Sequence, residues 1–137
     1  MIADTVSGTI APEEKLSRFI LQSNQFRKAD NTVKQDAFIP HPREDLSVTR
    51  NLDLPQETIW AIGEAVSQQT GKKLYGRAEN QASVYLEHKL KIFAAPVSNN
   101  PYHANITGWP ADKSAQKMIA LEIAARACFV PLPNDKD

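Results

Sequence analysis

The residues most able to do chemistry stand in the run HANIT at positions 103–107. His103, Asn105 and Thr107 alternate there with apolar residues, and side chains two apart on a strand share one face. A histidine titrates near neutral pH and can serve as a general acid or base. We therefore predict that His103 is catalytic, that Asn105 orients a substrate and that Thr107 helps to hold an anion. The alternative is structural: a solvated polar strand face, or a histidine that satisfies a buried carbonyl group.

Three arginines are candidates for holding the anion itself. Arg18, Arg50 and Arg77 each lie in or beside a segment with ordered patterning rather than in a run of charge, and a guanidinium can bind phosphate through two parallel hydrogen bonds. They could converge at the start of the helix expected after GWP at 108–110, where free N–H groups favour negative charge. Pro110 removes one of those donors and no glycine-rich phosphate loop precedes it, so a helix end without a ligand is the alternative.

The sequence carries no recognisable metal or cofactor motif. Its three histidines, at positions 41, 88 and 103, occur without a Cys/His pair or an HExxH segment, so we expect neither a metal site nor a cofactor. Cys128 is the only cysteine, which excludes an internal disulfide and fits a reducing compartment. Because Cys128 comes at the end of an apolar helical pattern, we expect it to be a buried small residue.

Composition excludes several classes of partner. Lys plus Arg and Asp plus Glu each number 16 in the 137 residues, so the formal net charge is zero and no global field attracts nucleic acid or an anionic membrane. The start of the chain lacks a basic segment followed by an apolar core, and no run reaches the roughly 18 apolar residues of a membrane span. We therefore expect a cytoplasmic protein that binds another protein and no membrane, with a homo-oligomer as a further option.

Two helices carry the clearest patterning. The first is expected at about 53–70, where Asp53 and Gln56 have capping-box spacing, apolar residues recur on one face and Gly71 supplies the stop. The second is expected at about 110–128, with Asp112 at or near its N-cap. Apolar residues cover more than half of this second helix, so it should be largely buried.

The remaining patterning predicts short strands around these helices. Residues 12–20 fit either a helix or a strand, and 22–35 are expected to form a loop or a poorly formed turn of helix. The other expected elements are strands at 37–39, 46–49, 72–77, 90–93 and 102–107 and a short helix at 80–87. This order predicts a single compact α+β or α/β domain with one mixed β-sheet at 12–130, between a flexible lead at 1–11 and a tail at 131–137.

The succession AFIP, LSVTR, IWAIG, LYGRA, HANITGWPADK and ALEIA resembles a pattern seen in small bacterial proteins of unassigned function. The resemblance covers most of residues 14–130. It implies a bacterial cytoplasmic origin and a shared fold, but it implies no activity and no site.

Two functions are compatible with this sequence. The first is an accessory protein that binds a macromolecular partner, because no complete catalytic set can be identified. The second is a small enzyme or ligand sensor for a phosphate-bearing molecule, such as a nucleotide or RNA, in which His103 and the arginines act together. Placement distinguishes them: His103 and two arginines in one concave pocket favour the second, whereas an exposed apolar patch around Trp60 or Trp109 favours the first.

Overall fold

The computed structural model describes residues 8–40 and 45–133, which form one α+β domain around a six-stranded antiparallel sheet. The sheet contains β1 (Lys15–Ile20), β4 (Leu46–Arg50), β5 (Gly76–Gln81), β6 (Lys91–Ala94), β7 (His103–Thr107) and β8 (Cys128–Pro131). A separate two-stranded hairpin is made of β2 (Phe26–Arg27) and β3 (Thr32–Val33). The helices are α1 (Gln56–Thr70), α2 (Ala82–Leu86) and α3 (Lys113–Arg126), and 3₁₀ turns lie at Ser23–Gln25 and Gln35–Phe38. The two main helices are those that the sequence predicted.

All neighbouring strands are antiparallel, in the order β6-β7-β4-β1-β5-β8. The predicted α+β class is therefore confirmed, and the expectation of a mixed sheet was wrong. The reason lies at α1, which connects β4 to β5. These two strands run in the same direction, as strands joined through a helix usually do, but β1 lies between them and pairs antiparallel with both.

The start of α1 differs from the predicted one, whereas its end does not. Pro55 occupies the N-cap position and no side chain caps the helix, so the predicted capping box between Asp53 and Gln56 is wrong. The Gln56 side chain instead accepts a hydrogen bond from Arg77, a partner that is distant in sequence. Gly71 ends the helix with φ of 70°, as predicted.

The second main helix, α3, begins as predicted and ends earlier. Asp112 is its N-cap, and the Asp112 carboxylate accepts a hydrogen bond from Ala115 N at 2.9 Å. The helix ends at Arg126, and Cys128 begins β8 with its side chain exposed. The expectation of a buried cysteine was therefore wrong, because Phe and Val in CFVP favour a strand and β5 offers an edge for that strand to join.

The surface of α3 is also more open than predicted. Its buried residues are Ala120, Ile123 and Ala124, so the expectation of a largely buried helix was wrong. The helix packs on the domain along this narrow stripe only. The apolar residues of a helix are those that can be buried. How many of them are buried depends on how many neighbouring elements pack against the helix.

The segment after α1 is shifted relative to the prediction. The strand expected at 72–77 occurs at 76–81, and the helix expected at 80–87 is confined to 82–86. Gly76 stands where the backbones of β5 and β8 approach each other closely. A Cβ at this position would stand 2.5 Å from Val130 O, so a larger residue would push β8 away.

The N-terminal third differs from the prediction in several places. The strand expected at 37–39 was wrong, because Gln35–Phe38 form a 3₁₀ turn there. Residues 15–20 form a strand, which decides between the two alternatives left open by the sequence. The loop expected at 22–35 contains the β2–β3 hairpin, where Phe26 pairs with Val33. The Phe26 ring also stacks on Phe129, with centroids 4.9 Å apart, so contacts with β8 hold the hairpin.

The described chain reaches beyond the expected limits of the domain. Ile10, in the expected lead, packs against the core, and Leu132 N, in the expected tail, donates to Tyr75 O at 3.2 Å. Residues 1–7 of the lead and 134–137 of the tail lie outside the described residues, as does His41.

Apolar clusters lie on both sides of the sheet. One lies beneath α2, α3 and the second 3₁₀ turn, and the other lies beneath α1. Gly63 of α1 stands directly over Phe19, where a Cβ would be 2.8 Å from the ring. Glycine at this position therefore allows α1 to lie close to β1. Representative members of the first cluster are Leu16, Ile20, Phe38, Tyr85 and Ile123, and the second contains Phe19, Ile59, Ile62 and Leu74.

Candidate functional site

His103, Asn105 and Thr107 share one face of β7, as the alternation predicted. Each is half-buried, and the residues between them are buried. The His103 ring lies where the pairing of β6 and β7 ends, with Nδ1 2.9 Å from Ala95 O. Nδ1 must carry the proton to donate to this carbonyl, so the contact occupies one ring nitrogen. This contact corresponds to the structural alternative for His103, a histidine that satisfies a carbonyl group.

Of the predicted arginines, Arg18 lines the same small cavity as His103, but its side chain lies on the other face of the sheet. His103 is opposite Thr49, which is opposite Ser17, and Arg18 alternates with Ser17 along β1. The cavity measures about 70 Å³ and is also lined by Ser47, which leaves room for about two water molecules. Arg18 donates through Nε to Ala37 O at 2.9 Å and through Nη1 to Ser47 O at 3.0 Å. The guanidinium therefore links backbone carbonyls of two other segments to β1.

Arg50 and Arg77 are buried in separate ion pairs. Arg50 is 2% exposed and holds Glu14 through hydrogen bonds of 2.5 and 3.0 Å. Arg77, also 2% exposed, donates to Glu79 at 2.8 Å. In both arginines, a carboxylate binds the guanidinium N–H groups that a phosphate would need. Neither arginine lines the cavity beside His103.

Arg77 belongs to a polar network beneath α1. Its guanidinium lies 4.5 Å from the centre of the Trp60 ring, and Glu79 also accepts from the Asn51 side chain at 2.9 Å. Asn51 in turn accepts from the Ser17 hydroxyl. A cavity of about 530 Å³ opens beside this network at the start of α1, and the carboxylates of both ion pairs line it. Glu14 and Glu79 are each bound to an arginine. The carboxylates that line this cavity therefore belong to ion pairs that hold the fold together.

The structure thus divides the site that the sequence predicted. His103, Asn105 and Thr107 share the α1 face of the sheet, the Arg18 side chain lies on the opposite face and donates to Ala37 O, and Arg50 and Arg77 are held in their own ion pairs. The described residues contain no group of three or more His, Cys, Asp and Glu side chains placed to hold a metal ion. Within residues 8–40 and 45–133, no helix has the length and apolar character needed to cross a bilayer.

A groove between α3 and the β2–β3 hairpin, hereafter the hairpin groove, has a different character. It measures about 390 Å³, and its α3 wall is made of Leu121, Ala124 and Ala125. Val33 and Ala127 also line it. The floor is therefore apolar and built from short side chains, which leaves space for the side chains of another molecule.

One apolar stripe of α3 continues out of the hairpin groove. Met118, Leu121 and Ala125 occur at spacing i, i+3 and i+7, which places them on one side of the helix. Met118 is 59% exposed and Leu121 is 50% exposed. Few large apolar side chains of the described chain are as exposed as these two, and they are one turn apart.

The hairpin supplies charged groups at the rim of the hairpin groove. Arg27, Asp30 and Lys34 line it. The Asp30 carboxylate accepts from the Thr32 hydroxyl at 2.7 Å, and this hydrogen bond lowers the pKa of Asp30 below its ordinary value, with the charge of Arg27 contributing. Asp30 is thus committed to the hairpin turn. Among the described residues Lys34 has no ion-pair partner, which leaves the rim with an uncompensated positive charge.

Sequence reasoning missed the hairpin groove for two reasons. The hairpin was expected to be a loop, because only Phe26 is large and apolar within 22–35. The apolar residues cover more than half of α3 and so predict a largely buried helix. The available signal was the presence of two separate stripes on α3: Met118, Leu121 and Ala125 form one, and Ala120, Ile123, Ala124 and Ala127 form the other.

Comparisons with protein-family profiles, with curated proteins and with solved structures found no match to this chain. The hairpin groove, the β7 face and the buried arginine pairs are therefore the features from which a function can be inferred.

Proposed function

We propose that this protein is an accessory protein of the bacterial cytoplasm that binds another protein, and that the hairpin groove receives an apolar segment of that partner. The observation that carries the proposal is the exposure of Met118 and Leu121, 59% and 50%, on a helix whose opposite stripe is packed in the core. Contiguous exposed apolar side chains rimmed by polar groups are typical of interaction sites.

The partner segment is expected to carry acidic residues beside its apolar ones. Lys34 and Arg27 stand at the hairpin side of the groove, and Lys117 is exposed on α3. The chain as a whole has formal net charge zero, so the positive rim is local. An amphipathic helix laid in the groove would place its apolar face on Leu121 and its carboxylates near Lys34.

The alternative function, action on a phosphate-bearing molecule, has weaker support. It needs His103 and two arginines in one concave pocket. Arg50 and Arg77 are each paired with a carboxylate, and the Arg18 side chain lies on the opposite face of the sheet from His103. The apolar surface that supports partner binding is not where the sequence placed it, since Trp60 and Trp109 are both half-buried.

The test is affinity capture of the tagged protein from its native cell extract, followed by mass spectrometry of retained proteins and small molecules. We expect a stoichiometric protein partner with the natural chain. The double variant Met118→Gln, Leu121→Gln should retain at least tenfold less of it, because glutamine keeps the helix but removes the apolar contact. Lys34→Glu should also weaken retention, more strongly at low salt.

The matched control is Leu86→Gln, which replaces another large apolar residue, 39% exposed, on α2. This variant should retain the partner like the natural chain. Equal retention by the double variant at 118 and 121 would overturn the proposal. A retained phosphate compound without a protein partner would overturn it as well and would turn attention to His103 and Arg18.

A further inference from the structure

The strand β6 forms one outer edge of the six-stranded sheet, since it is at one end of the strand order and pairs only with β7 in that sheet. Edge strands present unpaired backbone groups that can accept another strand. Phe93, in the middle of β6, is 54% exposed. On the same face its neighbour on β7 is Asn105, which is half-buried. This surface is separate from the hairpin groove.

The hydrogen-bonding pattern shows which backbone groups of β6 point outward. Ala95 N donates to His103 O at 2.8 Å, so this pair belongs to the hydrogen-bonded type of an antiparallel ladder. The types alternate along the ladder, which directs the backbone groups of Phe93 and Lys91 toward β7. The N–H and C=O groups of Ile92 and Ala94 therefore point to the outer edge.

A two-fold axis perpendicular to the sheet can join two such edges in only one kind of register. Cross-strand neighbours must lie on the same face, so the axis has to pass beside a residue rather than between two residues. With Phe93 on the axis, Ile92 of each copy is opposite Ala94 of the other. All the outward N–H and C=O groups of these two residues are then paired, and the Phe93 rings meet at a non-hydrogen-bonded pair, where side chains are closest.

We propose that two copies of this chain associate through β6 in this antiparallel register, extending the sheet across a two-fold axis. Charge also suits a second copy. Lys91, a residue type that often blocks edge pairing, is opposite Ala95 of the other copy, so the two Lys91 side chains are offset along the strands by about 13 Å, or four residues at the strand rise. The formal net charge of zero removes long-range repulsion between copies.

Cysteine crosslinking tests the register directly. In a Cys128→Ser background, which removes the exposed natural thiol, Phe93→Cys should form a disulfide-linked dimer rapidly, because Cα atoms of a non-hydrogen-bonded pair are about 4.5 Å apart. Lys91→Cys and Ala95→Cys should not crosslink alone but should crosslink when mixed. Val97→Cys is the control, since residue 97 is 46% exposed and lies beyond β6.

Sedimentation velocity over a range of concentrations tests the assembly without crosslinking. The natural chain should approach twice its monomer mass of 15.2 kDa, and Phe93→Lys should remain at the monomer mass because it places two like charges on the axis. A natural chain that stays at 15.2 kDa throughout would overturn the proposal. So would a Phe93→Lys variant that still dimerises, or crosslinking of Lys91→Cys alone that exceeds crosslinking of Phe93→Cys.

Discussion

The two sides of the sheet are stabilised by different chemistry. On the side of α2 and α3, the buried residues are mostly apolar, such as Leu16, Leu46 and Ile106, although Arg50 and Asn80, both opposite Leu16, are buried there too. On the side of α1, the sheet buries Ser17, Thr49 and Arg77 as well as Phe19. The first side can be formed by many combinations of apolar residues, whereas the second requires a partner for each buried polar group.

The predicted anion-binding arginines are not available as a group, because Arg77 lies on the side of α1 whereas Arg50, opposite Leu16, lies on the other side. A buried guanidinium is tolerated only where carboxylates and carbonyls compensate it, and Glu79 and Gln56 supply that compensation to Arg77. On the other side, α3 lies on an apolar core and leaves Met118 and Leu121 uncovered. The ion pair of Arg77 is thus part of the folded structure, and the outer surface of α3 is where we propose that a partner binds.

Arg77→Met should show the largest effect on the polar side. It keeps most of the side-chain volume but leaves Glu79 without its cation, and removal of one partner from a buried ion pair costs about 3–5 kcal/mol. Glu79 is 15% exposed, so we expect the lower end of this range in the free energy of unfolding measured by urea denaturation.

The double variant Arg77→Met, Glu79→Gln is the control for that measurement. It removes both charges while leaving an oxygen that can accept from Asn51, so it should recover part of the lost stability. An Arg77→Met variant with the urea midpoint of the natural chain would contradict the structural role of this pair.

Trp109→Ala should have a comparable or slightly smaller effect on the apolar side. The Trp109 ring packs against the larger core cluster, and truncation of a large core side chain to alanine costs about 3 kcal/mol or more. Trp109 Nε1 also donates to Ile106 O at 2.9 Å. Trp109→Phe separates the two contributions, since it should lose only about 1 kcal/mol for the hydrogen bond. An unchanged denaturation midpoint for Trp109→Ala would show that the ring does not support the core.

Tyr85 should give the smallest effect, one that depends on pH. Burial raises the pKa of the Tyr85 hydroxyl above its ordinary value, and the side chain is fully buried. Above about pH 10 the unfolded chain releases this proton while the folded chain retains it. The folded state therefore loses stability as pH rises beyond this value, by up to about 1.4 kcal/mol per pH unit.

Comparison of the natural chain with Tyr85→Phe isolates that contribution. The difference in free energy of unfolding between the two proteins should be constant from pH 7 to 9 and should shift in favour of the phenylalanine variant between pH 10 and 11. Parallel pH profiles for the two proteins would show that Tyr85 ionises equally in the folded and unfolded chains.

The sequence by itself determined those features that depend on a few consecutive residues. Alternation placed His103, Asn105 and Thr107 on one face, Asp112 capped α3, and Gly71 ended α1. These features follow from backbone geometry and local hydrogen bonds, which act over one or two turns of chain. The two main helices and the α+β class could be predicted for the same reason.

Only the tertiary structure decided which strands pair and which side chains are enclosed. The insertion of β1 between β4 and β5 made the sheet antiparallel, and Glu14 neutralised Arg50, which lies 36 residues away along the chain. The groove around Leu121 is likewise formed by two distant segments, α3 and the β2–β3 hairpin. Burial and charge pairing are set by contacts between distant segments, and a pattern in one segment does not specify which other segment will cover it.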